Sequence, residues 1–241
     1  MWVGRLIESV GEGEAREDGI DELMEGVKDG VMTSEAEDDG SGRCAKDGEV
    51  GGRLLRYMDS GEGGRPVVLV HGFGGDLNNW LFNHPVLAAE RRVIALDLPG
   101  HGESGKSLQT GELDELSQAV LALLDHLKID RVHLAGHSMG GLVSLNIARG
   151  ATQRVASLTL SASAGLGTQI NGYYLQGFID ASNRNALKPQ LVQLFSDPAL
   201  VTRQMLEDML KFKLLEGVDQ ALRQLTGALF SGGQQLADLR N

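Results

Sequence analysis

The strongest structural signal in the sequence is the run Val132-His133-Leu134-Ala135-Gly136-His137-Ser138-Met139-Gly140-Gly141. An apolar, β-branched run enters Gly-x-Ser-x-Gly, and a helix-prone segment follows it. This order of strand, sharp turn and helix is typical of a nucleophile elbow, which holds a serine at its apex. Glycines are needed at 136 and 140 because larger side chains on either side of the strained serine would collide with the turn. We therefore predict that Ser138 is a nucleophile and that the Met139 N–H faces a developing oxyanion.

Strands and helices alternate on both sides of this elbow. Two of the predicted strands, 66–70 and 92–96, contain continuous apolar runs, which are typical of strands buried on both faces of a parallel sheet. The full set of predicted elements is strands over 53–58, 66–70, 92–96, 132–137 and 155–160, with helices over 112–128 and 139–150. The alternation predicts an α/β fold with a doubly wound, mostly parallel sheet, whose core spans residues 50–165.

After residue 165 the pattern contains helices only. Asp197 followed by Pro198 is typical of a helix start, and the apolar spacing predicts a helix over 198–215 with Gly217 beyond its end. A second amphipathic helix is predicted over 218–230. We therefore predict that residues 166–241 form a helical cap over the strand ends and that the chain stops before the final strands of the sheet.

The charge is concentrated near the N-terminus. Residues 1–50 hold 15 of the 33 acidic and 5 of the 22 basic residues, so the remainder is nearly neutral and has no basic stripe for nucleic acid. Residues 1–49 are rich in Gly, Glu and Asp, so we predict a disordered acidic segment, with a partner-binding tail as the alternative.

The single cysteine, Cys44, fits a reducing compartment. No secretory signal or membrane-spanning run is visible, so we expect a cytoplasmic protein that binds no membrane.

Serine-based acyl chemistry needs a nucleophile, oxyanion donors, a base and an acid that orients the base. For the second donor we predict the Phe73 N–H, because the glycines around it let the backbone approach the site. We expect neither a metal nor another cofactor. The residues predicted to form the site around Ser138, Phe73 and Met139 are His71, Gly72, Gly74, Gly136, His137 and Gly140.

A base and an acid are not recognisable after the elbow. In this kind of site the acid and then the histidine follow the serine in the chain. We interpret His71 and His101 as loop or pocket-wall histidines, Asp97 as a structural loop carboxylate, and His137 as pointing away from its neighbour. All six histidines precede Ser138, at positions 71, 84, 101, 126, 133 and 137.

Three motifs give the chain a resemblance to a known superfamily: His-Gly-Phe-Gly-Gly at 71–75, Asp-Leu-Pro-Gly-His-Gly at 97–102 and Gly-His-Ser-Met-Gly-Gly at 136–141. Residues 50–241 look like an α/β-hydrolase with a helical cap. A narrower resemblance is to the hydrolase-fold domain of acetoin dehydrogenase E2, a dihydrolipoyllysine-residue acetyltransferase. It rests on the segments 74–80 (Gly-Gly-Asp-Leu-Asn-Asn-Trp), 185–189 (Asn-Ala-Leu-Lys-Pro) and 200–205 (Leu-Val-Thr-Arg-Gln-Met).

The resemblance implies a lipoyl domain before the hydrolase fold and two last strands, carrying the triad Asp and His, after the cap. Residues 1–49 are too few for a lipoyl domain, and Lys28 is a poor match to its Asp-Lys attachment site. We therefore expect a member truncated at both ends and no lipoyl group on this chain.

Three functions remain open at this point. The chain is a serine hydrolase acting on a small ester or thioester substrate, a hydrolase-like module of an acetyltransferase with dehydrogenase-complex subunits as partners, or an inactive fragment.

Overall fold

The elbow lies in a six-stranded sheet. The computed structural model describes residues 45–231, 234–237 and 239. The strands of this sheet are β1 (Ala45–Val50), β2 (Arg53–Ser60), β3 (Val67–Val70), β4 (Val93–Leu96), β5 (Val132–His137) and β6 (Val155–Ser161). They lie in the order β1-β2-β4-β3-β5-β6. The neighbours β4, β3, β5 and β6 are mutually parallel, and β2 runs antiparallel to both of its neighbours, β1 and β4.

The two short central strands are buried along their whole length, as predicted. Val68 and Val70 of β3 join the larger apolar cluster on one face of the sheet, and Val67 and Leu69 join a smaller cluster on the other face. Because successive side chains of a strand point to opposite faces, a continuous apolar run is what a strand covered on both sides requires.

Three helices cover the two faces of this sheet. They are α1 (His84–Ala88), α2 (Leu113–His126) and α3 (Met139–Gly150). The predicted apolar stripe of α2 is confirmed, because Leu116, Val120, Leu123 and Leu124 are fully buried in the larger cluster. Leu87 and Ala88 of α1 pack against the smaller cluster, so the mostly parallel sheet has helices on both faces.

Among its described residues, the cap region contains four α-helices: α4 (Gly172–Asp180), α5 (Arg184–Val192), α6 (Arg203–Lys213) and α7 (Val218–Leu229). The single helix predicted over 198–215 is wrong at its start. The Asp197 side chain caps only a short 3-10 turn (Pro198–Leu200), and the hydroxyl of Thr202, which accepts the Met205 N–H at 3.1 Å, caps α6.

The cap is not purely helical either. Two short strands, β7 (Phe230–Ser231) and β8 (Gln234–Gln235), pair antiparallel after α7. Polar glutamines without an alternating pattern gave no strand signal in the sequence. Backbone bonding fixes this segment, since the Gln235 N–H donates to the Thr168 carbonyl at 2.8 Å.

The sheet also begins earlier than predicted. Ala45–Val50 pair with Arg53–Met58 through a turn at Gly51 and Gly52, whose φ angles are +57° and +78°. Positive φ at both turn positions suits a tight hairpin, and glycine adopts it without strain. The prediction that residues 1–49 are disordered is therefore wrong for residues 45–49. What was predicted for 1–44, including Cys44 and Lys28, lies outside the described residues.

Candidate functional site

Ser138 lies at the apex between β5 and α3, where the sequence predicted the elbow. Its backbone has φ +53° and ψ −118°, a region that non-glycine residues rarely adopt. Hydrogen bonds hold this conformation: the Ser138 N–H donates to the Ser161 carbonyl, and the Ser138 carbonyl accepts the N–H groups of Gly141 and Ala164, each at 3.0 Å. The strained turn is thus fixed from both β6 and α3.

The two elbow glycines are required by close backbone approach. A Cβ at Gly136 would collide with the carbonyl of Gly140. A Cβ at Gly140 would collide with the carbonyls of Val70 and His71 at the end of β3. Both collisions are with backbone atoms, which cannot rotate away as a side chain can. The first turn of α3 therefore packs directly against the strand end that begins the neighbouring loop.

That neighbouring loop, residues 71–75, is named the glycine loop below. A Cβ on Gly72 would lie 3.1 Å from Ser138 Cβ and 3.0 Å from His137 Nδ1. The glycine loop therefore runs alongside the serine, and Phe73 follows at the next position. Within the described residues, no acceptor is assigned to the Phe73 or Met139 N–H. These are the two groups predicted to bind an oxyanion, and the arrangement leaves both available for it.

His71, the first residue of the glycine loop, fixes this loop through two hydrogen bonds. Its Nε2 accepts the Leu98 N–H at 2.9 Å, and its Nδ1–H donates to the Gly72 carbonyl at 2.8 Å. Burial lowers the pKa of the His71 imidazole to about 4, so the ring is neutral at pH 7. Both ring nitrogens are used in backbone hydrogen bonds, which fits the interpretation of His71 as a loop histidine and leaves it no lone pair for proton transfer.

Asp97 joins the same network. Its carboxylate accepts the Leu77 N–H at 2.7 Å and the Glu103 N–H at 2.8 Å, and so ties the chain after the glycine loop to the loop that follows β4. Burial raises the pKa of this carboxyl, while the two N–H donors favour its charged form. This geometry fits the interpretation of Asp97 as a structural loop carboxylate.

A base for Ser138 is not evident in the part of the chain that the structure describes. His101 is buried, with Nδ1 bonded to the Pro99 carbonyl at 3.1 Å, and burial lowers its pKa to about 3. His137 lies against Gly72, and burial lowers its pKa as well. Among the described residues no hydrogen bond joins Ser138 Oγ to a histidine. Among the described residues, the structure thus brings the glycine loop beside the predicted nucleophile Ser138, and it places no histidine in position to accept the Ser138 proton.

The cap reaches this site through Phe178 of α4, which the sequence analysis did not single out. Gly74 has φ +70°, and a Cβ there would collide with the Phe178 ring. The rings of Phe73 and Phe178 meet edge to face with centroids 6.1 Å apart. No local signal marks Phe178, because its partners lie about a hundred residues earlier in the chain.

The parallel sheet, the elbow and the cap together define an α/β-hydrolase. The family model described as alpha/beta hydrolase fold matches residues 65–231, and the chain belongs to that family. A solved meta-cleavage product hydrolase from Pseudomonas fluorescens superposes with a TM-score of 0.69 at 26% identity, over 77% of this chain and 72% of its own.

Two relatives are more similar in sequence, and both are named dihydrolipoyllysine-residue acetyltransferase component of acetoin cleaving system. The protein from Pseudomonas putida is 68% identical over 240 residues, which are 99% of this chain and 65% of the relative. The protein from Cupriavidus necator is 46% identical over 187 residues, which are 78% of this chain and 50% of the relative. The chain thus spans between half and two thirds of these relatives.

Proposed function

We propose that the chain carries a serine acyl site of the α/β-hydrolase type, which takes a small ester or thioester. The observation that carries this proposal is Ser138 at a strained strand-to-helix apex, with Gly72 packed against it. Attack of Ser138 Oγ on the acyl carbon would form a C–O bond and place negative charge on the carbonyl oxygen. The N–H groups of Phe73 and Met139 would stabilise that charge.

The same step must also move a proton. As the ester C–O or thioester C–S bond breaks, the leaving group needs the proton that Ser138 gives up, and a base has to carry it. The described residues place no histidine in hydrogen-bond contact with Ser138 Oγ. We therefore expect a site that reacts with strong acyl or phosphonyl electrophiles and turns over slowly.

A fluorophosphonate probe tests the nucleophile. Labelling of the full chain is expected at Ser138, to disappear in Ser138→Ala and to persist in Ser161→Ala, a control at the neighbouring strand end. Loss of p-nitrophenyl acetate turnover in Ser138→Ala is expected to be well below the roughly 10²–10⁴-fold that a positioned general base contributes. Labelling elsewhere contradicts the assigned nucleophile, and a much larger loss of turnover contradicts the missing base.

The second candidate is a hydrolase-like module within an acetyltransferase assembly of the cytoplasm. It is favoured by the names of the two acetoin-cleaving relatives, with 68% and 46% identity. If it holds, the tagged chain co-elutes with the dehydrogenase (E1) subunit of such a system when the two are expressed together. If the E1 subunit appears in the flow-through while the tagged chain is retained alone on the affinity column, the result would count against this candidate.

A further inference from the structure

An arginine precedes each of the four parallel strands. Arg92, Arg131 and Arg154 stand directly before β4, β5 and β6, and Arg65 stands two residues before β3. Because these strands are neighbours in the order β4-β3-β5-β6, the four arginines lie along one edge of the sheet. This edge is opposite to Ser138, since Ser138 follows the carboxyl end of β5. At about 3.3 Å per residue, the length of β5 separates the two by about 20 Å.

Three of these arginines are already held by the protein. Arg92 forms an ion pair with Asp59 at 2.8 Å, Arg131 donates to the Val155 carbonyl at 3.2 Å, and Arg154 pairs with Asp125 at 2.7 Å. Arg65 is exposed and has no acidic partner within the described residues. Counting only partners among the described residues, Arg65 is the one guanidinium of the row that no protein group engages.

Arg65 lines an open groove of about 460 Å³ at this edge, named the cationic groove below. Its other basic members are Arg92, Lys128 and Arg131, and Asp130 is the one carboxylate among the residues that line it. Lys128 is exposed and, like Arg65, has no acidic partner in the part of the chain that the structure describes. The volume is within the range of small-molecule sites.

Lys128 holds an unusual backbone conformation. It has φ +56° directly after α2, where the Ile129 N–H donates to the Leu124 carbonyl at 2.8 Å and the Lys128 N–H donates to the Asp125 carbonyl at 3.0 Å. This is the Schellman arrangement, whose left-handed position is usually glycine. The backbone conformation alone would favour glycine at this position. The residue present is a lysine, whose side chain brings an ammonium group to the groove.

His133 lies close enough to Arg65 for the guanidinium charge to act on its imidazole. It lies beside the row on β5, and its Nδ1 is 2.7 Å from Ser157 Oγ. Burial lowers the pKa of the His133 imidazole, and the charges of Arg91, Arg65 and Arg131 lower it further. An anion bound among these arginines would oppose that effect.

We propose that the cationic groove is a binding site for a small molecule that carries a phosphate or diphosphate group. Arg65 and Lys128 supply donors that no carboxylate of the described residues engages, and Arg92 and Arg131 add positive charge beside them. Guanidinium groups match the geometry of phosphate oxygens. The groove lies at the opposite edge of the sheet from the serine site, so binding there does not depend on acyl chemistry.

Binding of inorganic pyrophosphate to the full chain tests this proposal. Isothermal titration at constant ionic strength is expected to show saturable binding that weakens at least about tenfold in Arg65→Ala and in Lys128→Gly. Lys188→Ala, which removes an exposed lysine from the cap, serves as the matched control and is expected to bind like the wild type. Unchanged binding in both groove variants, or no saturable binding by the wild type, would overturn the proposal.

Lys128→Gly also separates the effect of the ammonium charge on binding from the effect of the positive φ on stability. The variant is expected to melt at the same temperature as the wild type or higher, because glycine relieves the positive φ, while binding pyrophosphate more weakly. Citrate, a polycarboxylate, is expected to bind more weakly than pyrophosphate, and the reverse order would contradict a phosphate site. The pKa of His133, followed by NMR, should rise with pyrophosphate in the wild type and stay constant in Arg65→Ala.

Discussion

Ser138 holds a backbone conformation that no local preference favours, so the surrounding contacts have to impose it. The carbonyl of Ser161 and the N–H groups of Gly141 and Ala164 bond its main chain. The close packing of Gly136 and Gly140 leaves no room for the turn to relax. Strain of this kind costs about 1–3 kcal/mol and persists only where the rest of the structure over-determines it.

Gly140→Ala tests this close packing at a single residue. The added Cβ would collide with the carbonyls of Val70 and His71, so we expect the free energy of unfolding to fall by about 1–3 kcal/mol. Gly150→Ala in the same helix is the control, since a Cβ there contacts nothing and should cost little or stabilise slightly. Urea denaturation measures both. Equal stabilities of the two variants would show that the elbow is not sterically closed.

At this scale the sequence was informative because the constraint is local. Gly136, Ser138 and Gly140 occur within five residues, and a strand–turn–helix pattern around them is enough to predict the turn. Phe178 illustrates the opposite case. Its contact with Gly74 depends on how the cap packs against the sheet. The two residues are too far apart in the sequence for a local pattern to include both. The roles of Ser138, Phe73 and Met139 in chemistry stay predictions. Fluorophosphonate labelling tests the role of Ser138.

At the scale of elements, α4 is the part of the cap that contacts the glycine loop. Phe178 is fully buried, its ring meets Phe73 edge to face, and Lys213 of α6 places its Nζ 5.7 Å from the same ring. The Lys213 ammonium also donates to the Ile179 carbonyl at 2.9 Å near the end of α4. One aromatic side chain thus links α4, α6 and the loop beside Ser138.

Phe178→Ala should therefore destabilise the protein by about 3–5 kcal/mol, the usual cost of removing a buried aromatic ring. Tyr173→Ala in the same helix is the control and should be nearly neutral, because that side chain is 73% exposed.

Gly74→Ala alone should also destabilise the protein, through the collision of the added Cβ with the Phe178 ring. The double variant Gly74→Ala/Phe178→Ala should cost less than the sum of the two, since the ring is gone. Additive costs, measured by urea denaturation, would contradict direct contact between loop and cap.

Within the described part of the chain, the predicted acyl site and the proposed anion site lie at opposite ends of the parallel strands. The carboxyl ends of β3, β4 and β5 carry the glycine loop, Asp97 and Ser138, and the amino ends carry the arginine row. The alternation of strands and helices was sufficient to predict this parallel core. The hairpin partner β1 and the short strands β7 and β8 escaped prediction because their polar residues take part through backbone pairing, which side-chain patterns do not record.

Two buried histidines, His71 and His101, make the stability of the whole fold dependent on pH. Burial lowers their pKa values to about 4 and about 3, below the unfolded value near 6.5. As the pH falls below 6.5 the unfolded chain takes up protons that the native chain refuses, so stability is lost toward acid. Between pH 7.5 and pH 5 each histidine should cost about 2 kcal/mol of unfolding free energy.

The variant His101→Phe separates this effect from the other titrating groups. It keeps a ring of similar size against His71 and Phe73, whose centroids lie 5.0 and 6.3 Å from that of His101, and it removes one of the two protonation sites. The buried carboxyls of Asp76 and Asp97, whose pKa values burial raises, are common to both chains and cancel in the comparison. Urea denaturation at pH 7.5 and pH 5 is expected to show a loss smaller by about 2 kcal/mol in the variant. An equal loss in both chains would mean that His101 is protonated in the native protein or exposed to solvent.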